Sequence, residues 1–192
     1  MRIAIPKERG VGENRVAASV EVIGKLTALG CTVVIEADAG EGAATPDQTY
    51  KDAGAEIAKD FAATVKGADM VWKITPPTKT EASKLTKGQI VAASLSALTD
   101  PQGVEMLSKS GVTGFAMELM PRISRAQSMD ILSSQANLAG YKAVLNAADT
   151  YGRAFPMMMT AAGTVPPARA FIMGVGVAGL QAIATAKRLG AA

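Results

Sequence analysis

The sequence predicts an α/β protein: an N-terminal doubly wound, mostly parallel sheet flanked by helices, followed by the first βα unit of a second α/β domain. The first observation is the alternation, along 192 residues, of short apolar runs with amphipathic segments, which is the pattern of repeated βα units. The second is the glycine-rich run GVGVAG near the C-terminal end. Hydrophobic residues make up 48% of the chain and charged residues 19%, which is typical of a globular protein rather than a disordered one.

Five short apolar runs, rich in β-branched residues in several cases, predict the strands of the first domain. Because each is separated from the next by a helical segment, they predict a mostly parallel sheet with helices on both faces. In chain order the predicted strands are 2–6, 32–37, 69–75, 89–95 and 112–119.

Capping residues mark the helices between these strands. Ser19 is a candidate N-cap and Gly30 lies where a left-handed C-terminal cap belongs. Pro46 falls in the first turn of the second helix, where proline is tolerated. The predicted helices are 19–30, 45–54, 76–85 and 101–109, and a long helix at 129–152 follows, where apolar residues recur at helical spacing without a proline.

These elements predict three segments of the chain. Residues 1–128 form the N-terminal α/β domain, 129–165 form a linking helix and junction loop, and 166–192 begin a second domain that they do not complete. Pro166 and Pro167 favour a boundary because proline neither continues a helix nor pairs in a central strand. The methionine run 157–159 is interpreted as packing filler at this junction.

Composition excludes several classes of function. The chain has no histidine and one cysteine, so imidazole catalysis and zinc or other thiolate metal sites are not expected, and no intrachain disulfide can form. The net charge of +3 has no Lys/Arg block, which argues against nucleic acid as a partner. The N-terminus lacks the apolar run of a signal peptide, and no stretch approaches the ~20 apolar residues that cross a bilayer. We therefore expect a soluble, cytoplasmic chain without direct membrane insertion.

The run GVGVAG matches the glycine pattern of a Rossmann dinucleotide-binding turn. An apolar stretch (RAFIM) precedes it and a helical segment (LQAIATAKRLG) follows it, as this motif requires. Gly174 allows a tight turn, Gly176 removes a side chain where a pyrophosphate approaches, and Gly179 lets the helix pack closely. Together with Val177 at the start of the helix, they are the candidate phosphate-binding residues; a purely structural turn is the alternative.

The acidic residue that holds the adenosine ribose in such domains lies about 20 residues beyond the glycines, at the end of a second strand. The sequence stops at Ala192. We therefore expect that this chain alone does not form a complete dinucleotide site, and that it is a fragment, a proteolytic product or a half that another chain completes.

A second candidate site lies in residues 116–144. Arg122 and Arg125 near a strand end are suited to grip an anion, while Asp130 and Ser133 share one face of the following helix and Gln127 lies just before them. This set can fix a carboxamide-bearing ring. From the chemistry alone, the opposite interpretation is equally open: Asp130 and Ser133 cap the helix and the arginines are solvated.

Two stretches, MPRISRAQSMD…SSQANLAGYKAV and TAAGTVPPARAFIMGVGVAGLQAIATAKRLGA, closely resemble the NAD(H)-binding component (domain I, the α1 subunit) of proton-translocating nicotinamide nucleotide transhydrogenase. The resemblance runs from Met1 to Ala192, and the opening IPKE…ENRVAAS is shared with the related alanine dehydrogenases. In that superfamily an N-terminal doubly wound domain packs against a Rossmann domain.

The resemblance implies roles for individual residues. Arg122, Asp130 and Ser133 would orient the nicotinamide of NAD(H), and Gln127 would reach toward the nucleotide on a partner. The implied enzyme is a Si/Re-specific transhydrogenase in which NADH passes a hydride directly to NADP(H) cofactor, as NADP⁺, on a second component, coupled to proton flow through a membrane-spanning component. It also implies a homodimer at the inner membrane surface, inactive as this chain alone.

Two other functions stay open at this point. In alanine dehydrogenases, positions matching Arg15 and Lys73 hold the substrate, but the catalytic histidine matches Ser94 here, and serine cannot replace it in proton transfer. Arg15 is alternatively a surface ion, and Lys73 a strand-edge charge. A chain lacking most of its nucleotide domain is alternatively a folding or interaction module without activity of its own.

Overall fold

The structure is a computed structural model that describes residues 1–192. The chain forms two compact units, Met1–Met120 and Pro121–Ala192, called unit 1 and unit 2 below.

Unit 1 contains a six-stranded, fully parallel sheet in the order β3-β2-β1-β4-β5-β6. This is the doubly wound order, with its reversal between β1 and β4. The predicted fold class is therefore confirmed, although the sheet has one strand more than expected. The strands are β1 Arg2–Ile5, β2 Thr32–Glu36, β3 Glu56–Ala58, β4 Met70–Trp72, β5 Ile90–Ala93 and β6 Thr113–Ala116.

Five helices connect these strands, and side-chain caps fix where most of them begin. The Ser19 hydroxyl accepts from the Val22 N–H at 3.3 Å, as predicted for the first helix, and Gly30 takes the left-handed conformation with φ +79°. The third helix and the edge strand before it are absent from the sequence prediction, because each is only three to five residues long. The helices are α1 Val20–Ala28, α2 Asp47–Asp52, α3 Phe61–Val65, α4 Lys79–Ala82 and α5 Pro101–Lys109.

Two hydrophobic cores cover the two faces of the sheet. Successive side chains of a strand point to opposite faces, so Ile3 and Ile5 enter one core and Ala4 enters the other. The core around Ile3 and Ile5 joins Ile23 and Tyr50 to the sheet, and the core around Ala4 joins helices and strands on the opposite face. Ile3, Ala4 and Ile5 are each at most 1% exposed, which makes β1 the centre of unit 1.

Unit 2 is built around two helices, α6 Ile131–Thr150 and α7 Val177–Arg188. Val144 of α6 packs with Ala182 and Ala186 of α7 in a small core. The predicted long helix is thus present, two residues shorter at each end. None of the seven helices in the chain has both the length and the apolar character required to cross a bilayer.

Two predictions for unit 2 are wrong. The junction loop contains a hairpin of β7 Met158–Thr160 and β8 Gly163–Val165, and Met159 in it is 81% exposed, so the methionines are not packing filler. The run RAFIM before the glycine turn forms no strand, because it has no neighbouring strand to pair with. Ala192 bonds to the start of this segment, donating to Ala168 O at 2.8 Å and accepting from Ala170 N at 3.0 Å, which is a parallel pattern.

Candidate functional site

The glycine turn exposes its backbone at the start of α7. Gly174 has φ +103°, a conformation open to glycine and costly for other residues. Around both Gly174 and Gly176 the space that a Cβ would occupy is empty, so a ligand can approach the main chain. Gly176 is the N-cap of α7 and Val177 is its first residue. The first N–H groups of a helix have no partner within it, and they carry partial positive charge.

Gly179 is required for a different reason. A Cβ built on Gly179 would lie 1.9 Å from the carbonyl oxygen of Gly174, closer than any stable contact. The turn therefore folds back onto the first turn of α7, and only glycine permits this approach. The arrangement has the features that the motif predicts: a tight turn, an open backbone and a closely packed helix.

At the other helix, Asp130 and Ser133 form a compact polar group. Asp130 is the N-cap of α6 and accepts two hydrogen bonds from Ser133: the backbone N–H bonds to Oδ1 at 2.9 Å and the hydroxyl to Oδ2 at 2.6 Å. The pair is only partly buried. Capping is therefore a role that Asp130 has in this structure, and it holds both polar side chains at the end of the helix.

Arg122 and Gln127 lie in the segment that leads into α6, and both are exposed. Residues Ser124–Met129 form a 3₁₀ turn, and the carbonyl of Gln127 accepts from the Asp130 N–H at 3.3 Å. Hydrogen bonds from the Ser133 side chain and backbone lower the pKa of Asp130, with a smaller contribution in the same direction from the charge of Arg122. The four residues thus share one short stretch of unit 2.

The lowered pKa of Asp130 predicts an acid-sensitive helix end. A carboxyl whose pKa is lower in the folded state than its ordinary value of about 3.9 stabilises the fold above that value, and the stabilisation disappears as pH falls through the folded pKa. We expect the NMR signals of Ser133 and its neighbours to shift in that acidic range. The Asp130→Asn variant, which cannot titrate, should lack this transition; the same transition in both proteins would contradict the assignment.

One close helix contact joins the two groups. Gly140 of α6 is buried, and a Cβ built on it would lie 2.1 Å from the carbonyl oxygen of Ala178, the second residue of α7. The helix that carries Asp130 and Ser133 at its N-terminus therefore touches the first turn of the helix that follows the glycine turn.

Unit 1 has a second polar cluster, at the carboxyl ends of its central strands. Lys73 directly follows β4, and its Nζ lies 3.3 Å from Glu8 Oε2 and 3.2 Å from Glu81 Oε1. Arg9 bridges Glu81, at 2.9 Å, and Glu36. The side chains of Lys73, Glu8 and Glu81 are at most 4% exposed. We call these five residues the buried ion cluster.

The interpretation of Lys73 as a strand-edge charge is wrong, because β4 lies between β1 and β5 and the lysine side chain is buried. Arg15 makes a two-pronged contact with Glu13, with Nε at 2.8 Å from Oε1 and Nη2 at 2.6 Å from Oε2. Ser94 follows β5, and its N–H donates to Ile74 O at 3.1 Å.

Sequence reasoning missed the glutamates. Glu8 and Glu81 are 66 or more residues from the backbone and arginine groups that they bind, so no local pattern reveals the cluster. Glu118 was also missed: its carboxylate accepts from Leu95 N and Ala97 N, both at 2.9 Å. Burial raises the pKa of Glu118, but these backbone hydrogen bonds outweigh it and lower the pKa overall.

An apolar groove of about 310 Å³ also lies in unit 2, along the second half of α7. Its lining side chains include Ile172 and Ile183, and none of the residues 174–179 contributes to it. The groove is therefore separate from the phosphate-facing turn. No group of three or more Asp, Glu, Cys or His side chains is arranged to hold a metal ion.

Comparison with known proteins gives close relatives over the whole chain. It is 58% identical over 196 aligned residues to the first of the chains that make up the alpha subunit of NAD(P) transhydrogenase in Rhodospirillum rubrum, covering all of this chain and 51% of the relative. The crystal structure of transhydrogenase from Sinorhizobium meliloti superposes with a TM-score of 0.96 at 54% identity, covering all of this chain and 57% of that one. An L-alanine dehydrogenase structure gives a TM-score of 0.86 at 30% identity, covering 100% and 53%.

The chain therefore spans about half the length of the curated relatives it matches. Two family models match it: Alanine dehydrogenase/PNT, N-terminal domain, over residues 4–139, and Alanine dehydrogenase/PNT, C-terminal domain, over residues 143–192. With the doubly wound sheet and the glycine turn in place, these matches make the chain a member of the alanine dehydrogenase/PNT family.

Proposed function

We propose that this chain is the NAD(H)-binding portion of a proton-translocating NAD(P) transhydrogenase, and that it holds NAD(H) for direct, Si/Re-specific hydride transfer to NADP⁺ bound on a partner component. The observation that carries the proposal is the open glycine turn at the start of α7, joined through Gly140 to the helix that begins at Asp130. The similarity to transhydrogenase subunits supports it.

The residues present fit a dinucleotide. The open backbone at Gly174 and Gly176 and the free N–H groups from Val177 onward would receive the diphosphate, because a helix N-terminus favours an anion. Asp130 and Ser133 offer a carboxylate and a hydroxyl that suit a carboxamide, which both donates and accepts hydrogen bonds. The exposed Arg122 guanidinium would hold the carboxamide oxygen.

Positioning is the main task of such a site. Bound NADH supplies the hydride, and in a direct transfer no protein group exchanges a proton at the reacting carbons. The rate then depends on holding two rings in a reactive geometry. Gln127, which is exposed on the segment before α6, would extend toward the nucleotide on the partner component.

The alternative activity is amino-acid oxidation of the alanine dehydrogenase type. It is disfavoured because Ser94 occupies the position of that family's catalytic histidine and because Lys73 is already paired with two glutamates. An ammonium group held between Glu8 and Glu81 is a poor ligand for a substrate carboxylate unless those pairs break.

We further propose that the chain works with an NADP(H)-binding component and a membrane-spanning component, as a homodimer at the inner membrane surface. The Rhodospirillum rubrum relative is named as one portion of a divided alpha subunit, which supports the existence of companion chains. Analytical ultracentrifugation of the natural protein that contains residues 1–192 tests the dimer; a monomer at micromolar concentration would contradict it.

An exchange assay tests the proposed function. The natural protein that contains residues 1–192 is mixed with the NADP(H)-binding component, NADH and an NADP⁺ analogue whose reduced form absorbs at a distinct wavelength. We expect reduction of the analogue without pyruvate or ammonia. NADH oxidation that occurs only with pyruvate and ammonia would instead establish the alanine dehydrogenase activity.

Replacing Arg122 with alanine is expected to slow this exchange by about 10- to 100-fold, the value of one charge-assisted hydrogen bond of roughly 1.5–3 kcal/mol. Arg122 is exposed, so the melting temperature should not change. Arg125→Ala is the matched control, because Arg125 is an exposed arginine of the same segment without an assigned contact to the ring. Equal rates for both variants and the unaltered protein would remove Arg122 from the site.

A further inference from the structure

The candidate carboxamide group and the candidate phosphate turn are attached to one pair of packed helices. Asp130 and Ser133 lie at the N-terminus of α6, and the glycine turn ends at Gly176, the N-cap of α7. Whatever fixes α6 against α7 therefore also fixes the distance between the two groups.

The contact that fixes the pair is made by Gly140. Its own Cα faces the backbone of Ala178, and an added Cβ would lie 2.1 Å from the carbonyl oxygen and 2.9 Å from the carbonyl carbon of that residue. Both partners are helix backbone, so neither can rotate away as a flexible side chain would. A single methyl group at residue 140 must push the helices apart.

The contact is continued on the same faces of both helices. One turn beyond Gly140, Val144 is 6% exposed and packs with Ala182 and Ala186, which follow Ala178 at four-residue steps. Residues four apart lie on the same face of a helix. Small residues along this line of α7 let α6 approach closely, and the closest approach is at Gly140.

The position of Gly140 matches the length of the ligand. Gly140 lies seven positions after Ser133 in α6, which is roughly 10 Å at the helical rise of 1.5 Å per residue. Ala178 is two residues beyond Gly176. The helix thus spans about the distance between the diphosphate and the carboxamide of an extended dinucleotide.

We propose that Gly140 is a positioning residue: its contact with Ala178 sets the separation between the phosphate-binding turn and the carboxamide-binding end of α6, and so adjusts the site to the nicotinamide half of NAD(H). This rests on the proposed function. It assigns to a residue in the middle of a helix, remote from the ring, a role in the selection of a ligand that carries nicotinamide.

Two ligands test the proposal. NADH needs both groups, whereas ADP-ribose has the diphosphate and lacks the nicotinamide ring. In the natural protein that contains residues 1–192, Gly140→Ala is expected to weaken NADH binding by about tenfold or more, since small misplacements have effects of this size, while ADP-ribose binding changes less than about twofold. Isothermal titration calorimetry measures both dissociation constants. An unchanged ratio of the two constants, whether both affinities fall together or neither falls, would overturn the proposal.

Two further variants keep the result interpretable. Gly24→Ala makes the same chemical change within helix α1, where a Cβ meets nothing within 4 Å, and should leave both constants unchanged. If Gly140→Ala does not fold, Val144→Ile separates the same helices by one methyl group without a backbone clash, and should raise the NADH constant alone. An unaltered protein that binds neither ligand would refute the nucleotide site itself, whereas normal binding with an unchanged ratio in the variants refutes only the role of Gly140.

Discussion

Replacing Lys73 with methionine is expected to lower the free energy of unfolding of unit 1 by about 3–5 kcal/mol, the usual effect of removing one partner from a buried ion pair. The lysine Nζ lies within 3.3 Å of both Glu8 and Glu81, and all three side chains are almost wholly buried. Without it, two buried carboxylates lose their shared cation. Urea denaturation followed by fluorescence measures the change, because Trp72, the only tryptophan, lies in unit 1 beside this lysine.

The matched control for this variant is Lys25→Met. Lys25 pairs with Glu21 at 2.6 Å on helix α1, but its side chain is 70% exposed. Exposed pairs of this type contribute about 0.3–0.5 kcal/mol, so the control should unfold almost as the unaltered protein does. If Lys73→Met and Lys25→Met have the same midpoint in urea, the buried ion cluster does not stabilise unit 1 in the way inferred.

Gly179→Ala is expected to weaken the binding of both NADH and ADP-ribose by about a hundredfold, equivalent to about 2.7 kcal/mol. The added Cβ would lie 1.9 Å from Gly174 O, so the turn must open and its N–H groups must separate. Both ligands carry the diphosphate and should lose affinity equally, unlike in a variant that moves α6 away from α7. Titration calorimetry with the two ligands measures the effect.

Gly176→Ala distinguishes lost folding from lost contact. The space around Gly176 is open and its φ is negative, so alanine fits the turn but places a methyl group where a phosphate would approach. We expect Gly176→Ala to bind both ligands weakly at an unchanged melting temperature, and Gly179→Ala to lose affinity and melting temperature together. Normal affinity in both variants would show that the turn does not contact the nucleotide.

Most of unit 1 was predictable because its elements carry local signals. The first strand, the Ser19 cap and the left-handed Gly30 agree with the sequence predictions. The short β3 and α3 escaped because three to five residues give too little periodicity for a prediction. RAFIM has the composition of a strand, but a strand also requires a partner, which composition cannot reveal.

The candidate site was predictable only to a limited extent. The glycine turn was found from spacing alone, since each glycine has a local geometric reason to be there. The segment from Arg122 to Ser133 was chosen from residue chemistry and family resemblance, and its functional role stays a prediction. The buried ion cluster joins residues up to 72 positions apart, and the contact between Gly140 and Ala178 joins residues 38 positions apart, so only the folded chain reveals them.

The charges at the carboxyl end of the central strands have an electrostatic consequence. Lys73, Arg9 and Arg15 lie among the carboxylates of Glu8, Glu13, Glu36 and Glu81, so the negative groups outnumber the positive ones. The local potential therefore repels small anions from the point where the strand order reverses, which in sheets of this kind is the usual place for a ligand. A free carboxylic acid entering unit 1 would encounter this excess negative charge at low dielectric, where repulsion is strong.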